Sequence, residues 1–184
     1  MIDSKEASAA LADIDDIVQR VRQSRIYDLA SQMMIMWGVL VFAANIATWL
    51  WPQAAYYYWL AVYVLGIAGS FAISSANQTS TGVRSFDMRM LIAFLMFVAF
   101  GFLCAHVLGH FTPRQQGAFW TIYFMLFYAL AGLWFGYAFV VIALAITALT
   151  LIGYFFVTGD AFLPWMAVVN GGGLIVGGLW MRRS

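Results

Sequence analysis

Four stretches of the chain, residues 29–83, 90–113, 115–159 and 161–181, run without a single charged side chain. A water-facing surface carries charge throughout, so this pattern excludes a soluble fold. A bilayer-spanning helix takes ~20 mainly apolar residues. The four stretches therefore divide into two, one, two and one spans, predicted at 31–50, 56–76, 90–110, 118–136, 138–157 and 162–181. A β-barrel is excluded as well, because the runs are continuously apolar and a barrel needs short alternating segments.

The divisions rest on different signals. Pro52, in Trp51-Pro52-Gln53-Ala54, stops the first helix. Asn77 to Asp87 forms the longest polar loop, His110 to Gly117 the next, and Thr158-Gly159-Asp160 the last turn. The stretch 132–137 has neither charge nor proline. Length alone forces a break there, since residues 115–159 as one helix would extend roughly 68 Å against a ~30 Å hydrocarbon core.

Ten of the charged residues precede Leu29. Residues 4–28 read as an amphipathic helix, with Asp3 and Glu6 placed as a capping box. Leu11, Ile14, Val18 and Val21 make one apolar stripe, with Ile17 beside it. Asp13, Asp15 and Asp16 come before Arg20, Arg22 and Arg25, the order that suits the helix dipole. No Gly or Pro separates this helix from the first span. The domain division is thus 1–30, a polar amphipathic helix, and 31–184, a membrane domain. The fold class is an all-α integral membrane protein, a six-transmembrane-helix bundle preceded by a cytoplasmic amphipathic helix. The stripe has three possible covers: the protein's own loops, the membrane surface, or a partner helix from a second copy or a cytosolic protein. The mixed charge argues against the membrane surface, which favours a basic face.

Orientation follows from basic residues. With the N-terminus inside, inner segments hold Lys5, Arg20, Arg22, Arg25, Arg84, Arg89, Arg182 and Arg183, and the outside holds Arg114 alone, a positive-inside bias. Both termini are expected in the cytoplasm, and the short polar exterior favours a bacterial inner membrane. Residues 1–28 lack the apolar core of a signal peptide, so no cleavage is expected. The single Cys104 excludes an internal disulfide.

Composition sets the candidate chemistry. The chain is 64% hydrophobic, 18% aromatic and 9% charged, and no charged residue falls inside a predicted span. Ion-coupled pumps and proton relays depend on such residues, so transport of that kind is disfavoured. No nucleophile, zinc-protease or phosphate-loop motif is present, nor paired carboxylates, so an enzyme is not expected. Nothing suggests nucleic-acid binding. Neutral polar residues Asn45, Thr48, His106, Thr121, Thr147, Thr150 and Asn170 cluster in the middle or outer halves of their spans. Two readings stand for them. They line an outward-facing small-ligand pocket with Trp49 on its rim, or each bonds a neighbouring helix. His106 and His110, four apart, would share a helix face and offer two imidazoles to a metal ion or haem iron. A pH-sensing pair or plain interfacial histidines are the other readings.

Small residues four apart mark close helix contacts. Ala43 and Ala47 form one such pair, Gly66 and Ser70 a second, and Gly132 and Gly136 a third. Gly101, Ala105 and Gly109 make the longest stripe, and Gly173 and Gly177 lie in register on the last span. The glycine-rich stretch 171–178 either packs internally or serves as a flexible or partner-facing element. In size, six-span topology and the Ala43, Ala47 pair, the chain resembles the substrate-binding subunits of energy-coupling-factor vitamin transporters. That resemblance implies an outward ligand cavity and docking to an energising module through the first helices. The long N-terminal helix departs from that family's short N-terminus. A regulatory, sensor or interaction subunit is the leading expectation. Its expected partners are the lipid bilayer and a second copy or protein at the cytoplasmic face. A small-solute transport component or channel, and a metal- or haem-binding protein, are the alternatives.

Overall fold

No Gly or Pro falls between Ser4 and Trp37, and the chain answers with one unbroken helix, α1 (Ser4–Leu50). The computed structural model describes residues 4–81 and 88–183, and among these there is no strand. The expected amphipathic helix and first span are thus a single rod, roughly 70 Å long at 1.5 Å per residue. Asp3, half of the expected capping box, lies outside the described residues, as does the side chain of Glu6.

Pro52 acts as read. Trp51 leaves helical geometry, Pro52–Ala54 makes one 3₁₀ turn, and α2 (Ala55–Thr81) runs back. Part of the loop expected from Asn77 is helical, since α2 continues to Thr81, while 82–87 lie outside the described residues. Next come α3 (Met88–Val107), α4 (Pro113–Phe135) and α5 (Tyr137–Phe156). α4 starts several residues earlier than expected, because Thr112 caps it. The Gln115 amide donates to the Thr112 hydroxyl at 3.3 Å, and the Thr112 amide donates to the Gln115 side chain at 2.9 Å. Gly136 alone separates α4 from α5. Its φ of +133° is open to glycine and strained for any other residue, which is how a break forms with no proline or charge nearby.

A 3₁₀ turn, Gly159–Ala161, leads to α6 (Phe162–Met166), a π-helical stretch Ala167–Gly172 and α7 (Gly173–Met181). These three form one rod over the expected sixth span. Five helices among the described residues are long and apolar enough to cross a membrane. The described apolar part of α3, Ile92–Val107, is shorter.

The core lies among α1, α4, α5 and the final rod, where Met34, Met125, Ile142, Ile146, Leu174 and Met181 are buried together. Large apolar side chains such as Val64, Leu133, Phe155 and Val176 face outward. Exposed apolar surface on that scale suits a lipid environment. Glycines set the spacing of the final rod on two sides. A Cβ on Gly171 would lie 2.6 Å from the Phe42 backbone, and one on Gly178 2.9 Å from the Ser31 carbonyl, both on α1. Gly173 and Gly177 meet Ile146 and Ile142 of α5. Gly171, Gly173, Gly177 and Gly178 are therefore taken up by internal contacts, and Gly172 is not.

α2 leans on α1, where the Trp37 indole lies over Gly66 and donates to the Ser70 hydroxyl at 3.1 Å. α3 rests on α4 through an aromatic seam. Phe97 stacks on Tyr123 at 4.1 Å, Phe94 meets Phe127, and the Tyr123 hydroxyl donates to the Phe97 carbonyl at 2.7 Å.

The small-residue stripe expected on this helix needs correction. Gly101 is buried in the seam, facing Tyr123 and Trp120. Ala105, one turn on, is only half-buried. Gly109 lies past the end of α3, at φ +96°, with nothing within 4 Å of a would-be Cβ. The helix stops at Val107, so the register that would align Gly109 with Ala105 is lost. Of Gly101, Ala105 and Gly109, the first alone is a close packing point, and Ala105 and Gly109 do not extend it into a stripe.

Candidate functional site: the exposed stripe of α1 and the buried polar pair

α1 joins the bundle at Tyr27. That side chain is buried, meets Phe139 edge-on at 6.0 Å, and accepts a hydrogen bond from the Gln23 amide at 3.2 Å. Its hydroxyl lies against Gly136, so the α4–α5 turn docks on α1 here. One turn further, Ser31 is buried and its hydroxyl donates to the Asp28 carbonyl at 2.8 Å. Asp28 faces Arg182 at 4.0 Å, which places the C-terminal end of the final rod at the same end of the bundle. Both side chains are more than half exposed, so the pair adds little stability.

Before Gln23, α1 continues for about 28 Å of helix. Ile14, Ile17 and Val21 there are 55%, 61% and 49% exposed. Among the described residues, none covers these three side chains. The side chains of Leu11 and Val18, the other expected stripe residues, lie outside the described set.

The expected pocket residues are divided. The Asn170 amide donates to the Thr121 hydroxyl at 2.9 Å, joining the π-helical stretch to α4. Asn45 is buried with its amide turned back on the Val41 carbonyl of its own helix at 2.9 Å. The Thr48 and Thr150 hydroxyls are buried with no hydrogen-bond partner among the described residues. Trp49 is exposed, and so is His106 in the last turn of α3. Two shallow apolar hollows of about 180 and 190 Å³ lie along α4 and share Ile122. The first is bounded by Ala118, Leu151 and Tyr154, the second by Phe119, Tyr123 and Leu126. Neither includes Asn45, Thr48, Trp49, His106, Thr121 or Asn170.

The paired-histidine geometry is not met. α3 ends at Val107, and Gly109 at φ +96° turns the chain before His110, so the two imidazoles of His106 and His110 do not share a helix face. Among the described residues no group of three or more His, Cys, Asp and Glu could hold a metal ion.

Arg114 is the site that the sequence concealed. It was expected in a loop, yet it occupies the first turn of α4, half-buried. Its guanidinium donates to the Gly153 carbonyl at 3.1 Å and to that of Tyr154, and lies 4.7 Å from the Phe162 ring centre. A cation on the last carbonyls of α5 opposes the negative end of the helix dipole. Nearby, the Trp165 indole donates to the Leu149 carbonyl at 3.0 Å. A lone Arg among aromatics was the only available hint. Set against known protein families, curated proteins and solved structures, the chain matches none.

Proposed function

We propose that this chain is a non-enzymatic multi-pass membrane protein, both termini in the cytoplasm, that acts as an interaction subunit through the projecting part of α1. One observation carries the reading. The helix that crosses the bundle continues unbroken to Ser4, and its described apolar side chains before Gln23 are uncovered. In proteins most helical stability comes from packing of an apolar face rather than from propensity. A covering partner therefore gives the segment its stability. A regulatory or sensor role then follows from rigidity. A load on Ile14–Val21 is carried by continuous backbone to Tyr27 and the Gly136 turn, and on to the contact with the final rod.

The test is removal of residues 1–22 from the full-length protein. The remaining bundle is expected to insert and keep its thermal stability within about 2 °C, while losing the associated chain seen by native mass spectrometry. An unchanged assembly mass after truncation would overturn the reading.

A small-solute transport component is the second reading, favoured by the Asn170–Thr121 pair beside the π-helical stretch, since π turns are frequent at functional sites. Solute-dependent stabilisation that disappears in Asn170→Leu is the outcome it requires.

A further inference from the structure

The exposed face of α1 does not stop at the bundle. Ile14, Val21, Asp28, Val39, Ala43 and Leu50 are all exposed, and they are separated by 7, 7, 11, 4 and 7 residues. Those intervals are close to whole turns of a 3.6-residue helix, so the six share one face. Gln32, half-buried, continues it between Asp28 and Val39. The final rod holds α1 on one side of this face, through Ile35, Gly38 and Phe42. α2 holds it on the other, through Met36 and Trp37. The open face between them belongs to the part of the rod before the bundle and to the apolar part alike.

We infer that this face is covered by the α1 of a second copy of the same chain, in a parallel, twofold-symmetric dimer. The inference rests on reading the projecting helix as an interaction element, and it names the partner. The occupant must run beside Val39–Leu50 in hydrocarbon and continue without a break beside Ile14–Val21 in water. Lipid meets the first requirement only, and a soluble helix the second only. A copy of α1 in the same membrane meets both and points the same way.

Charge supports the parallel arrangement. Arg25 and Asp28, both exposed, lie three residues apart near opposite edges of the face. A twofold axis along the contact sets Arg25 of each copy beside Asp28 of the other, so the complementary pair forms twice. By helical register Arg25, Asp28 and Gln32 form a polar belt across this face, with Ile14 and Val21 before it and Val39, Ala43 and Leu50 after it. In the membrane half, Ala43 is small enough for close backbone approach.

The test is site-specific disulfide formation in native membranes of the full-length protein carrying Cys104→Ser. Val21→Cys, Val39→Cys and Leu50→Cys, made one at a time, are expected to give oxidised dimer at least fivefold above the controls. Val64→Cys and Val168→Cys, exposed on α2 and the final rod, serve as those controls. Native mass spectrometry is expected to show two copies, weakened by Arg25→Asp or Asp28→Arg alone and restored when both are combined. Crosslinking no greater than at the controls, or no restoration by the charge exchange, overturns the dimer. A monomer that carries a different protein, lost on removing residues 1–22, overturns the second copy and leaves the interaction reading standing. A bare monomer overturns both.

Discussion

Two adjacent glycines in the final rod should respond oppositely to one methyl group. At Gly171 an added Cβ would stand 2.6 Å from the Cα, Cβ and N of Phe42. Normal carbon contacts are ~3.5–4.0 Å, so α1 and the rod must separate by about 1 Å over their shared length. Overpacking of this kind costs ~1–3 kcal/mol. At Gly172 the nearest atom is the Ala167 carbonyl oxygen, 4.0 Å away, so the methyl meets open space. There Ala removes backbone freedom from the unfolded chain and gains ~0.4–1 kcal/mol. For a chain of this size 1 kcal/mol corresponds to about 2–4 °C in Tm. Gly171→Ala is therefore expected to melt roughly 2–12 °C lower, and Gly172→Ala level with the wild type or a few degrees higher. Thermal unfolding in one detergent, followed by tryptophan fluorescence and by retention of monodispersity, measures both. If the two variants shift together, the close approach of α1 to the rod is not what holds this interface. If Gly171→Ala is neutral, the reasoning fails outright.

Three further outcomes are expected. Arg114→Gln loses both carbonyl contacts at the end of α5 and is expected to destabilise by ~1–3 kcal/mol, with Arg114→Lys recovering only part; melting curves of the two variants separate charge from geometry. Gly136→Ala forces a strained φ and drives a Cβ against the Tyr27 hydroxyl, so folded yield should fall sharply; Tyr27→Phe in the same chain should restore part of it, and no restoration would mean that the strain acts alone. Thr121→Val leaves Asn170 unpaired and is expected to cost ~0.6–1.7 kcal/mol, the range of interhelical membrane hydrogen bonds, whereas the double change with Asn170→Leu should recover most of that stability in the same assay.

The apolar runs reported the helices because runs of ~20 apolar residues have the length and composition of a bilayer-crossing helix. Pro52 also gave away its turn, since it lacks a donor, whereas the break at Gly136 was legible only from length, its positive φ leaving no mark but a glycine. The continuity of α1 was legible as an absence, the lack of Gly or Pro near Asp28. The side chains were another matter. Spacing showed that Gly173 and Gly177 share a face, and could not show that Gly171 and Gly178 serve a different neighbour. Asn170 and Thr121 are 49 positions apart, and no local pattern links them. His110 and Gly109 misled for one reason: a four-residue spacing from His106 or Ala105 means a shared face only while the helix lasts. Arg114 misled because a charge beside an apolar run reads as loop, and its acceptors lie on another helix. The π-helical stretch leaves no periodic mark in so short a segment.

The α4–α5 hairpin is fastened at both ends, covalently by the single residue Gly136 and, at the opposite end, by Arg114 gripping the carbonyls of Gly153 and Tyr154. A hairpin so closed behaves as a rigid frame, unable to open like a pair of shears. Any working motion must be sought in what is hung upon the frame. α3 hangs by its ring contacts and the Tyr123 hydrogen bond, whereas α1 is packed into the core through Tyr27, Ser31 and Met34. The closed hairpin and the lightly fastened α3 thus differ in how firmly each is joined to the core.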